Sequence, residues 1–142
     1  MTWRRLSWQA GYDYVEDVAR AFVRGAFETP RGANVVDLPG ELAVDSRLVL
    51  DGCSALKDLP PGLRAGAISL RNCVSMRALP ERFHTWFLDL TGCVHFCEWP
   101  GQATVEHGAL ILRGCVELRR LPDWLRRLAS LDVSGCIQLR AI

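Results

Sequence analysis

The sequence lacks the features that mark most membrane, secreted and nucleic-acid-binding proteins. Its 142 residues carry a formal net charge of +1, which provides no bulk attraction to nucleic acid or anionic lipid. No apolar run approaches the ~20 residues that a membrane-spanning helix needs. The first ten residues contain Arg4 and Arg5 but no apolar segment of the kind found in signal peptides. We therefore expect one ordinary folded domain.

Catalytic motifs are also missing. The chain has no G-x-S-x-G, no phosphate-binding G-x-x-x-x-G-K-S/T and no H-E-x-x-H. The histidines, His84, His95 and His107, fall in different segments and have no spaced carboxylate partner. Cys93, His95 and Cys97 form a C-x-H-x-C run, but no second pair of ligands lies near it in sequence. We expect no enzymatic activity, no cofactor and no bound metal.

One phrase is repeated five times between residues 48 and 142. Its first copy is Leu48-x-Leu50-x-x-Cys53-x-x-Leu56-x-x-Leu59-Pro60. Cysteine holds the same position in every copy, at intervals of 20, 20, 22 and 21 residues. The five positions are Cys53, Cys73, Cys93, Cys115 and Cys136. A fixed period of this length indicates a stack of repeated units.

The spacing within one copy predicts how the chain runs. Leu48 and Leu50 are two residues apart, which places both side chains on one face of a short strand. The apolar positions from Cys53 onward are three apart and predict a 3₁₀-like or extended turn, which Pro60 ends. About 20 residues leave no room for a full helix on the return path. Each coil must therefore bury its apolar side chains against its neighbours.

The pattern L-x-L-x-x-C/N-x-x-L-x-x-L-P resembles that of the leucine-rich-repeat family, over about two thirds of the chain. The resemblance implies an α/β fold: a curved solenoid with a parallel sheet on its concave face and a short 3₁₀ or extended convex side. Within the family the copies are similar to the proline-marked repeats of bacterial effectors and to those of plant intracellular immune receptors. The resemblance implies protein binding in the cytoplasm, or in a host cytoplasm after delivery as an effector.

The cysteines predict buried thiols and no disulfide framework. Stacked strands would place successive Cα atoms about 5 Å apart, but their side chains would point in parallel. We expect free thiols that pack as small apolar residues and offer only a weak hydrogen-bond donor, so that the stack depends mainly on packing. Free thiols favour a reducing compartment. Cys97 lies outside this ladder, and we expect it to be partly exposed and open to oxidation.

The first 47 residues do not carry the full phrase. In residues 1–30, apolar side chains between Tyr14 and Ala26 recur at helical spacing, which predicts an amphipathic helix that caps the first coil or, alternatively, recruits a partner. Trp3 and Trp8 would pack beside it. Residues 31–47 read as a degenerate first repeat, with Gly32 in place of cysteine, and residues 48–142 as five full repeats. Two extra residues in the segment 101–108 predict a longer convex loop.

Solvent-facing strand positions form the candidate binding surface. They mix charges of both signs with apolar points at Phe87 and Ile111, a combination that suits a protein or peptide partner. The alternatives are solvated positions without a partner, and a structural spacer or sensor segment of a larger receptor or effector. The candidate residues are Arg47, Val49, Asp51, Arg71, Phe87, Asp89, Thr91, Ile111, Arg113 and Asp132.

Two other surfaces have possible partners of a different kind. Residues 113–127 hold five arginines against Glu117 and Asp123, a local net charge of +3. Nucleic-acid binding there is less favoured, because the segment lacks interleaved exposed aromatic residues. The last copy closes half a repeat after Cys136. Its exposed apolar edge predicts self-association, or a continuation in a longer protein.

Overall fold

The computed structural model describes residues 13–16, 21–29, 35, 38 and 42–140. These residues form eight strands of one sheet, in the spatial order β1-β2-β4-β5-β6-β7-β8, with β3 also paired to β4. The strands are β1 (Asp13–Glu16), β2 (Ala21–Arg24), β3 (Phe27–Glu28), β4 (Ala43–Val49), β5 (Arg64–Ser69), β6 (His84–Asp89), β7 (Thr104–Ile111) and β8 (Ser130–Asp132).

The repeated phrase stacks one strand per coil. From β4 to β8 each strand pairs in parallel with the next, and equivalent apolar residues are direct partners. Leu48, Ile68, Leu88 and Leu110 follow one another in this way and are buried in the core, while the next partner, Leu131, is 39% exposed at the edge of the sheet. The predicted solenoid of stacked coils is therefore confirmed.

Each strand leaves the sheet through the same turn. In the first copy the Cys53 amide donates to the Leu50 carbonyl at 3.2 Å, and the Leu56 amide to the Cys53 carbonyl at 3.1 Å. These are i→i+3 bonds of the 3₁₀ type that the spacing predicts. The residue before each cysteine has a positive φ, for example 75° at Gly52 and 62° at Asn72. Glycine and asparagine tolerate this left-handed backbone better than other residues do.

The predicted N-terminal helix is wrong. Residues 13–16 and 21–24 are antiparallel strands in which Asp13 pairs with Arg24 and Glu16 with Ala21. Strand β2 then pairs in parallel with β4. A strand satisfies the amide and carbonyl groups along the edge of β4, which a helix would leave unpaired. The α/β class is not supported either, because the described residues contain no helix, and hence none that could cross a membrane.

A coil precedes the first full repeat. Its strand is β3, in which Phe27 pairs with Leu48, 21 residues further on. Phe27, Val35, Leu38 and Leu42 are buried and extend the core beneath this coil. The interpretations of Trp3, Trp8 and Gly32 concern positions outside the described residues.

The prediction of a longer convex loop in the segment 101–108 is also wrong, because strand β7 accommodates the two extra residues. Thr85 pairs with Val105 but Phe87 pairs with Ala109, so β7 advances four residues where β6 advances two. His107 has a φ of 67° in this bulge. The backbone of Gly108 lies directly against the Trp86 carbonyl, an approach that only a residue without a side chain allows.

The bulge predicts that alanine substitution changes the free energy of unfolding differently at Gly108 and at Gly101. A Cβ on Gly108 would overlap the Trp86 carbonyl oxygen and lie 2.8 Å from its carbon, whereas a Cβ on Gly101 would only approach the Glu81 carboxylate at 3.7 Å. We expect Gly108→Ala to lower the free energy of unfolding by about 3 kcal/mol. Gly101→Ala has the same effect on the unfolded chain and should be close to neutral. Urea denaturation of both variants measures the difference, and equal stabilities would contradict the bulge.

Candidate functional site

The outer side of β4 to β8 carries three parallel rows of side chains, which we call the sheet face. The pairing places Arg47, Ala67, Phe87, Ala109 and Ser130 in the first row and Val49, Ser69, Asp89, Ile111 and Asp132 in the second. The third row lies two residues further along each coil and consists of Asp51, Arg71, Thr91, Arg113 and Ser134. Neighbours within a row are about 4.8 Å apart. The structure therefore brings the candidate residues together on one side of the sheet.

The predicted residues differ in how much of each side chain a partner could reach. Arg71 and Arg113 are exposed, while Phe87 and Ile111 are half-buried. Asp89 is only 8% exposed. The remaining predicted residues are the exposed Arg47 and the half-buried Val49, Asp51, Thr91 and Asp132.

Two of the three arginines on the sheet face are hydrogen-bonded to a carboxylate, and the third, Arg71, forms a longer ion pair with Asp89 at 3.8 Å. Arg47 donates from Nε and Nη2 to Glu28 Oε2, both at 2.6 Å. Arg113 Nη2 donates to Asp132 Oδ2 at 2.6 Å. Hydrogen bonds from Ser134 and Arg113 lower the pKa of Asp132 to about 2. This carboxylate therefore stays charged across the neutral range, and its pair with Arg113 persists.

The other two acidic side chains brace the backbone. Asp51 Oδ1 accepts from the Ser69 hydroxyl at 2.6 Å and from the Arg71 amide at 3.0 Å, which ties one coil to the next. Asp89 Oδ1 accepts from the amide and hydroxyl of Thr91, at 2.9 and 2.6 Å. These bonds explain how a carboxylate as buried as that of Asp89 is satisfied.

Trp86 belongs to the sheet face, although strict strand alternation would place it inward. Thr85 and Leu88 are both buried, so the two residues between them, Trp86 and Phe87, lie on the outer side. The indole is 59% exposed. The same step occurs in β5, where Gly66 and Ala67 lie between the buried Ala65 and Ile68. The break in alternation is therefore shared by neighbouring coils, and the spacing of the repeated phrase does not reveal it.

The cysteine ladder lies on the opposite side of the strands, in the core. All six thiols are free, and those of Cys53, Cys73, Cys93 and Cys115 are buried. Packing is not their whole contribution, since each thiol after the first donates to a carbonyl of the preceding coil. The bonds are Cys73 to Leu50 (3.1 Å), Cys93 to Leu70 (3.0 Å), Cys115 to Leu90 (3.3 Å) and Cys136 to Leu112 (3.0 Å). The first thiol, Cys53, instead lies 3.5 Å from the Thr29 hydroxyl.

The side chains of the C-x-H-x-C run do not converge on one point, as metal ligands would. Cys93 is buried in the ladder, whereas Cys97 is exposed. His95 Nδ1 lies 3.5 Å from Glu117 Oε2 on the next coil. Within residues 42–140 and the shorter described segments, no three His, Cys, Asp or Glu side chains are grouped as a metal site requires. Cys97 borders a shallow pocket of about 330 Å³ beside Trp99 and Trp124.

The fold is a parallel solenoid whose successive strands lie 20 to 22 residues apart, and the sheet face lies on the outer side of these strands. No protein-family model, no curated protein and no solved structure matches the chain.

Proposed function

We propose that the chain is a leucine-rich-repeat module that binds a protein or peptide partner through the sheet face, without catalysis. The observation that carries the proposal is the row arrangement. Apolar side chains at Phe87 and Ile111 lie among Arg71, Arg113 and the exposed Trp86 on one strand-built surface. Tryptophan and arginine contribute more to binding energy at protein interfaces than most residues do. A rigid sheet presents such side chains at low entropic cost.

Paired variants test this proposal. Phe87→Asp combined with Ile111→Asp places two carboxylates on the sheet face. Val74→Asp combined with Ile137→Asp makes the same chemical change at exposed apolar residues that lie in the turns. We expect a partner captured from lysate by the native chain to bind the sheet-face variant at least about a hundredfold more weakly. The turn variant should bind it with native affinity.

Circular dichroism and thermal unfolding confirm that both variants keep the fold. Capture of the same partner by all three chains would contradict binding through the sheet face. It would favour the alternative in which this segment is a structural spacer or sensor segment of a larger receptor or effector.

Nucleic-acid binding through residues 113–127 is the weaker proposal. Arg119, Arg120, Arg126 and Arg127 are exposed there, but Arg113 is engaged by Asp132. Binding through this edge would weaken steeply as salt is raised, because arginine contacts to phosphates release counterions.

Self-association at the last coil stays a prediction. Strand β8 lies at an edge of the sheet, and Leu131 and Ile137 beside it are 39% and 80% exposed. The unpaired edge of a strand, flanked by apolar side chains, can pair with a strand of another chain. The location in a reducing cytoplasm likewise stays a proposal, consistent with six free thiols.

A further inference from the structure

Arg71 differs from the other two arginines of the sheet face. Arg47 and Arg113 each donate to a carboxylate at 2.6 Å. The carboxylate facing Arg71 is that of Asp89, and its Oδ2 lies 3.8 Å from Arg71 Nε, too far for a hydrogen bond. The Arg71 side chain is 54% exposed. Within the described residues, its guanidinium therefore has donors directed to solvent and no hydrogen-bonded acceptor.

The acidic side chains of the same surface are already engaged. Asp51 and Asp89 each accept two hydrogen bonds from the chain itself. Asp132 accepts from Arg113 and from the Ser134 amide. The Arg71 guanidinium thus remains a charged donor group at the centre of the sheet face, with a longer ion pair to Asp89 but no hydrogen-bonded acceptor. A partner carboxylate fits it, since a guanidinium binds a carboxylate through two parallel hydrogen bonds.

Trp86 supplies an apolar contact at a defined distance from Arg71. It precedes Asp89, the residue that Arg71 faces, by three positions on β6, which corresponds to about 10 Å along the strand. The Trp86 side chain is 59% exposed, and on the neighbouring strand β7 it is the side-chain-free Gly108 that lies against the Trp86 backbone. An exposed tryptophan of this kind contributes large contact area with few rotatable bonds.

We propose that the partner presents an acidic protein segment: a carboxylate that pairs with Arg71 and an apolar side chain, about 10 Å away, that packs on Trp86. This inference rests on the proposed binding function and gives the partner its chemical class. The partner's acid replaces solvent at Arg71, while the neighbouring carboxylates keep their present bonds.

Selection of random peptides displayed on phage tests the inference with the native chain and an Arg71→Glu variant. Peptides enriched on the native chain should carry Asp or Glu close to an apolar residue. They should bind Arg71→Glu at least about tenfold more weakly, and Trp86→Ala to a similar degree. Selection on Arg71→Glu should exchange the acidic residue for Lys or Arg. Arg77→Glu changes an exposed arginine in the segment that follows the turn and should leave the affinity within about twofold of native.

The possible outcomes separate the inference from the proposed function. Peptides that lose affinity for the Phe87→Asp, Ile111→Asp double variant, but carry no acidic residue or bind Arg71→Glu as well as native, overturn the acidic-partner inference alone. Peptides rich in Lys or Arg on the native chain overturn it too. Failure to enrich any peptide that depends on Phe87 and Ile111 overturns the proposed function and the inference together.

Discussion

Replacing Phe96 by alanine is expected to lower the free energy of unfolding by about 4 kcal/mol, the typical cost of deleting a buried aromatic ring. Phe96 occupies a leucine position of the repeat and is fully buried. Its ring meets that of Trp99 edge to face, with centroids 4.9 Å apart. Such an arrangement contributes energy beyond the buried area. Urea denaturation followed by circular dichroism measures the loss.

The aromatic residues around Phe96 connect two coils, so the loss of its ring should weaken contacts in both coils. Trp99 Nε1 donates to the Arg120 carbonyl at 2.9 Å on the next coil, and Trp124 Nε1 donates back to the Pro100 carbonyl at 2.8 Å. The two indoles lie edge to face at 5.7 Å. A cavity at Phe96 leaves Trp99 without support on one side.

Trp86→Ala is the matched control for Phe96→Ala. It also deletes a large aromatic side chain, but one that is 59% exposed, and surface substitutions typically change stability by about 0.5 kcal/mol or less. Similar losses for both variants would show that burial does not determine the stability of this coil.

The sequence predicts the repeated part of the fold well because the same spacing occurs five times. An isolated pair such as Leu48 and Leu50 is compatible with several structures, but each additional copy in register excludes more of them. The register follows as well: once the coils stack, equivalent positions must pair, and so Ser69 lies beside Asp89. The spacing alone therefore determines which positions of successive coils are neighbours on the sheet face.

The N-terminal segment was mispredicted because it occurs once and its apolar spacing is ambiguous. Tyr14, Val15, Phe22 and Val23 fit one face of a helix, yet they lie in two short strands, β1 and β2. What decides between these conformations is the unpaired backbone along β4, which the local sequence does not reveal. Tertiary context overrides local propensity in such cases.

Trp86 is the residue of the sheet face that the sequence spacing misses. Period-two alternation assigns Phe87 outward and Trp86 inward, but both lie outward between the buried Thr85 and Leu88. The hydrogen bonds of Arg113 and Asp51 were equally inaccessible, because the choice of partner depends on side-chain conformation and not on spacing. The structure alone therefore shows that Arg113 is hydrogen-bonded to Asp132, whereas Arg71 forms only a longer ion pair with Asp89.

The second large effect is expected at alkaline pH, where the fold should lose stability steeply above pH 9. Burial raises the pKa of the Cys73 thiol to about 12 and that of Cys93 to about 11, and it raises the pKa of Cys115 as well. In the unfolded chain these thiols titrate near 9.0. Above that pH the unfolded state releases protons that the folded state retains, so the free energy of unfolding falls as pH rises.

The expected slope is about 1.4 kcal/mol per pH unit for each such thiol, and three of them lower the free energy of unfolding by about 4 kcal/mol between pH 9.5 and 10.5. Below pH 9 both states keep these thiols protonated, and the contribution to stability is fully present. Urea denaturation under reducing conditions at pH 8, 9, 10 and 10.5 measures the dependence.

Cys93→Ser separates the thiols from other groups that titrate at high pH. Serine retains a donor for the Leu70 carbonyl, which the Cys93 thiol now reaches at 3.0 Å, but its hydroxyl does not ionise in this range. The variant should lower the alkaline slope by about 1 kcal/mol per pH unit, the contribution of one thiol. An unchanged slope would contradict the role of Cys93. Ionisation would also break the thiol-to-carbonyl hydrogen bonds of the cysteine ladder, because a thiolate has no hydrogen to donate. It would place a negatively charged sulfur beside a carbonyl oxygen in the core, where burial makes the repulsion costly.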